Sequence, residues 1–213
     1  MIEIVRTNNN TGLSITGDTL DLNQLKEFLY KFSNEDDLYT LFIAREARKA
    51  SSGQRLKHSV LGYDHNKEIE YYSFNIVLPD WIFFLDELLN NMLKQPSNQL
   101  DHSILSLLKY YTEQELIGID PHYGQIIFDR LGHLRIVKIL QETIIIDFLD
   151  SRVGKKRLIN LFENLQKYSE FSFSEDKKKL MSVYALEAAK LECSVEELTL
   201  SNSLHQLYDK VKW

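Results

Sequence analysis

The chain has one cysteine, Cys193, and only three prolines and eight glycines among 213 residues. A lone cysteine excludes an intramolecular disulfide and fits a reducing compartment. Six histidines are scattered so that no two could share a metal within one element, and CxxC is absent as well. Dedicated zinc sites declare themselves by such close pairs, so no metal is expected. GxxxxGK[ST], GxGxxG and GxSxG are all missing, which removes the usual phosphate loops and the hydrolase elbow. Gly154-Lys155-Lys156 ends in a Gly-Lys pair, but it lacks both the earlier glycine and the magnesium-gripping hydroxyl. No cofactor is expected.

Long apolar runs are missing too. The greasiest stretches, Trp81–Leu85 and Ile144–Ile146, are far too short to cross a bilayer. Met1-Ile2-Glu3-Ile4-Val5-Arg6 does not read as a signal peptide, so a cytoplasmic protein is expected. Basic residues number 25 and acidic 31, net -6, and neither half of the chain is basic. The chain as a whole has no attraction for a polyanion, and nucleic acid is not the expected partner.

What is present reads as alternating strands, then helices. Residues 2–5 alternate apolar and acidic, Asn8-Asn9-Asn10-Thr11-Gly12 supplies a turn, and Leu13–Thr16 alternates again, predicting a hairpin. Asp21 is placed to cap a helix with Leu22, Leu25, Phe28, Leu29 and Phe32 on one stripe. A second helix is expected over 38–50. A second hairpin is expected from 55–63 and 68–78, turning at Asp64-His65-Asn66. Pro79-Asp80 then opens a helix to about Lys94. The repeated order suggests two hairpins joined in one antiparallel sheet, covered by helices.

Gln95-Pro96-Ser97-Asn98 reads as a linker, dividing an α+β part (1–95) from an all-helical part or extension (99–213) packed on the first. In the latter, helices are expected over 101–116, from Asp120-Pro121 with interruptions at Gly124 and Gly132, over 134–149, 155–168, about 174–191 and 203–211. Ser194-Val195-Glu196-Glu197 has the form of a capping box.

Asn10–Asp18 with Leu20-Asp21-Leu22 and the helix that follows, together with Tyr71–Pro79, resemble an uncharacterised family of bacterial cytoplasmic proteins classed as a domain of unknown function. The likeness covers roughly the first hundred residues. It implies an α+β fold and brings no activity, substrate or site.

The candidate chemistry has to be weighed against plainer explanations. Tyr63-Asp64-His65-Asn66 with Glu68 and Glu70 offers a carboxylate-paired histidine, but a polar turn accounts for it. Asp120-Pro121-His122 places a histidine at a helix start; capping explains Asp120, leaving His122 as the catalytic nominee. Lys155, Lys156 and Arg157 form a basic cluster suited to phosphates, or a solvated helix end. Cys193, among Glu192, Glu196 and Glu197, reads as an ordinary half-buried thiol.

Tyr71, Tyr72, Phe74, Trp81, Phe83 and Phe84 exceed what one strand and one helix face would bury, because strand neighbours point to opposite faces. That excess predicts an apolar interaction surface at Tyr71, Tyr72 and Trp81. The leading expectation is a non-catalytic intracellular binding or regulatory protein, acting through that surface and forming a homodimer. A hydrolase-like enzyme using Asp120 and His122 stands second. A nucleic-acid-associated factor using Lys155, Lys156 and Arg157 stands third.

Overall fold

An apolar row crosses the sheet: Ile4 lies opposite Ile15, and Ile15 opposite Phe74, all essentially buried. The computed structural model describes residues 2–32, 46–48, 56–61, 68–152, 154–169, 174–198, 200, 207 and 211. Strands β1 (Glu3–Arg6), β2 (Gly12–Gly17), β3 (Leu56–Leu61) and β4 (Glu68–Val77) pair antiparallel in the order β1-β2-β4-β3. The two hairpins therefore join through β2 and β4, as the alternation predicts. Thr7 Oγ1 accepts the N–H groups of Thr11 and Gly12, at 3.2 and 3.1 Å, and so fastens the β1–β2 turn.

Helix α1 (Thr19–Phe32) buries the predicted stripe Leu22, Leu25, Phe28, Leu29 and Phe32. Its cap is Asp18 rather than Asp21: Asp18 Oδ1 accepts the Asp21 N–H at 2.8 Å, because the helix begins two residues before Asp21. Helix α2 (Leu78–Met92) has Pro79 in its first turn, one residue after its start and close to the opening expected at Pro79-Asp80. Its Trp81–Leu85 stretch is apolar on every side because the helix packs on β2 and β4, on α1, and on a later helix, α5. A stretch covered on every side has no reason to keep a solvated face.

Helix α3 (Gln99–Ile119) is capped by Asn98 in a reciprocal box with Asp101. Helix α4 (Pro121–Arg130) runs through Gly124, which does not interrupt it. A Cβ there would lie 2.2 Å from Leu116 O, so glycine serves a close helix crossing instead of a break. Gly132, at φ +87°, does mark the end of that region. Helix α5 (Lys138–Asp150) begins four residues later than the apolar pattern predicts. Leu134 N–H donates to Asp86 on α2, and Arg135 adopts φ 46°, so 133–137 form a held, non-helical link.

Helices α6 (Lys155–Tyr168) and α7 (Glu175–Lys190) follow, and the Ser194–Glu197 capping box closes a 3₁₀ turn. One buried cluster runs from Ile2 to Leu198 through sheet and helices alike. The α+β class is established. Residues 46–48 are helical; the rest of the helix expected over 38–50 lies outside the described residues, as do the 64–66 turn and most of 203–211. Among the described residues, no helix is long and apolar enough to cross a membrane.

Candidate functional site

Two of the three aromatic residues expected to need a partner are covered by the chain itself. Trp81 is 1% exposed and Tyr72 8%, while Tyr71 is half-buried. Phe74, Phe83 and Phe84 are enclosed as well. Trp81 packs on Phe84 with ring centroids 5.0 Å apart, and its Nε1–H donates to Thr112 Oγ1 at 2.9 Å. The expected excess disappears because α2 is wrapped by the sheet, α1 and α5, a long-range arrangement that local spacing does not announce.

Asp120 spends one carboxylate oxygen on the N–H groups of His122 and Tyr123, both at 3.0 Å. It caps α4, as its plainer explanation held. His122 is exposed, its ring beside Tyr123, and it lines neither of the two clefts described below. His65 and His205 lie outside the described residues. No group of three or more His, Cys, Asp or Glu is arranged for a metal among the described residues. Cys193 is half-buried.

The basic cluster splits. Lys155 and Lys156 are exposed in the first turn of α6, but Arg157 is only 4% exposed. Arg157 shares its helix face with Leu161 and Leu165 at i, i+4 and i+8, and this spacing was the missed signal that it turns inward. Its Nη2 donates to Asn10 O and Thr11 Oγ1, both at 3.1 Å, with a longer contact to Asn9 O. The guanidinium also stacks on Phe148, 4.4 Å from the ring centroid. Arg157 is therefore a clamp on the β1–β2 turn, not part of a surface patch with the two lysines.

Two clefts remain. The first lies between α5 and α6 and holds about 290 Å³. Ile144, Phe148 and Leu161 form its apolar part, and Asp147, Asp150, Ser151, Asn160 and Asn164 its polar part, with Arg157 in its wall. Loss of water lifts the Asp147 carboxyl above the ordinary aspartate value; nearby Lys167 opposes this, and Asp150 adds to it.

The second is a groove of about 350 Å³ between α1 and the start of α3. Its accessible lining is mainly carbon, with Phe28 and Ile104 beneath and Leu100, 53% exposed, at the edge. Asn23, Gln24, Glu27 and Asn98 supply a polar rim. Lys31 closes one end by an ion pair to Asp101 at 2.5 Å. Burial alone would push the Asp101 carboxyl up, but the Lys31 ammonium and the Asn98 N–H outweigh it and hold it below the ordinary value. Leu20, 66% exposed, sits one helical turn before Gln24. Neither Leu20 nor Leu100 stands out in the sequence, because each falls within an amphipathic helix and exposure is decided by the neighbouring element.

The fold is thus α+β, and the groove between α1 and α3 is one open apolar surface among the described residues. Residues 2–122 match the protein family described as "Domain of unknown function (DUF6904)", and the chain belongs to that family. The match extends past the hundred residues that the resemblance covers, into α4, and takes in the whole α1–α3 groove. No curated protein and no solved structure matches the chain.

Proposed function

We propose that the protein is a non-catalytic binding protein that holds an apolar segment of a partner protein in the groove between α1 and α3. The observation that carries this reading is the groove itself: a cleft of about 350 Å³, open on one side, with mainly carbon surface inside and polar side chains at the rim. That is the form in which an amphipathic helix presents side chains to a groove, anchors inward and polar groups outward. Leu100 at the groove and Leu20 one turn before Gln24 are both exposed, and exposed apolar surface beside a groove favours association over solvation. The groove also lies wholly inside the stretch that defines the family.

The test places a photo-crosslinking residue at Gln24, on the rim, and a control at Lys178 on α7. A protein adduct at Gln24 that disappears with Leu100→Glu supports the groove. Adducts that are indifferent to Leu100→Glu, or equal at both positions, overturn it. Light scattering then decides whether the partner is a second copy of the chain.

A further inference from the structure

We infer that the cleft between α5 and α6 binds a small zwitterion of the amino-acid class, its carboxylate toward Arg157 and its ammonium toward Asp147 and Asp150. The inference is independent of the groove. At about 290 Å³ the cleft is at the small end of ligand pockets, which suits a molecule of amino-acid size.

The cation in the lining is Arg157. It lines the cleft while being almost fully buried. One nitrogen is committed to the β1–β2 turn and one face to Phe148, yet its Nε–H is buried with no acceptor among the described residues. A buried donor without an acceptor keeps its whole desolvation penalty. The acceptor that relieves it best is an oxyanion, because a guanidinium–carboxylate hydrogen bond is charge-assisted.

The cleft does not suit a bare anion. Asp147 and Asp150 line it, and neither forms an ion pair among the described residues; Lys167, the nearby cation, is engaged by Asp176 at 2.8 Å. Two free carboxylates repel a phosphate and attract an ammonium. Asn160 and Asn164 add amide groups to the lining. A positive and a negative group on one short frame meet both requirements.

The test is an amide NMR titration of the full chain with each proteinogenic L-amino acid in turn, up to about 10 mM, which reads affinities into the millimolar range. At least one is expected to give saturable shifts at Ser151, Asn160 and Asn164. Its affinity should fall by about tenfold or more in the Asp147→Asn/Asp150→Asn variant. These positions are exposed, so that variant keeps the fold. The N-acetylated and C-amidated forms of the binder should bind more weakly than the parent. The inference is overturned if no amino acid gives saturable shifts there, if the N-acetylated form binds as well, or if the double variant binds unchanged. Arg157→Lys is the companion: weakened binding in a folded variant supports the assignment and unchanged binding overturns it. Should that variant fail to fold, the aspartate variant decides alone.

Discussion

Asp86 Oδ1 accepts the N–H of Gly132 at 2.6 Å, joining α2 to the link before α5 across 46 positions. The same oxygen accepts Leu134 N–H at 3.1 Å. Burial pushes the Asp86 carboxyl above its ordinary value, and the amides of Leu134, Gly132 and Arg135 and the nearby His133 offset this only in part. A raised carboxyl value means that the native state binds the proton more readily than the unfolded chain. The Asp86 contribution to stability is therefore greatest in acid and declines as pH rises through the native value. Asp86→Asn should remove that decline, seen as a flatter stability–pH curve in urea titrations. Asp86→Ala leaves two buried N–H donors unpaired and should cost about 3 kcal/mol.

Asp101 has the opposite sign. Its carboxyl is held below the ordinary value in the folded state, so its contribution is present above the ordinary aspartate range. That contribution is lost as pH falls through the native value. Asp101→Ala also removes half of the capping box and should cost about 1 kcal/mol near neutrality, with the difference from the parent shrinking in acid.

Two glycines on neighbouring helices should respond differently to alanine. At Gly124 the new methyl meets Leu116 O at 2.2 Å, a backbone atom that cannot yield unless α4 moves off α3. Thermal melts should show a loss of about 2 kcal/mol. At Gly118, in the last turn of α3, the methyl meets only the far end of Arg6, at 3.3 Å, and a helical position prefers alanine to glycine. Gly118→Ala should stabilise by roughly 0.5 kcal/mol.

Trp81 distinguishes a core role from an interface role. Its ring is enclosed and its Nε1–H is bonded to Thr112. Trp81→Ala should cost about 4 kcal/mol of stability. At concentrations where the variant stays folded, its sedimentation behaviour should match the parent; a change of association state without loss of stability would contradict the enclosure.

The elements that were legible in the sequence are those decided by local periodicity. The α1 stripe, Pro79 at the start of α2, the bounds of α6 and the two hairpins all follow from side-chain spacing and turn chemistry. The errors fall where a distant group intervenes. Asp86 holds 133–137 out of a helix that the apolar pattern favours, and Leu116 makes Gly124 a crossing point instead of a break. Arg157 reads as basic surface by composition although its helical phase places it among leucines. Neither cleft was visible, because each is formed by side chains from two helices and no single stretch of sequence contains it.

The Arg157 clamp crosses the border of the family. The turn it grips, residues 9–11, belongs to the stretch that defines the family, while the arginine comes from 35 positions beyond that stretch's end at 122. Any relative that kept only the defining stretch would have to anchor its first hairpin loop by other means, and Asn9, Asn10 and Thr11 are where such a replacement would leave its mark. The helical extension is thus a stabilising brace as well as an appendage, and the two parts of the chain have reason to change together over evolution.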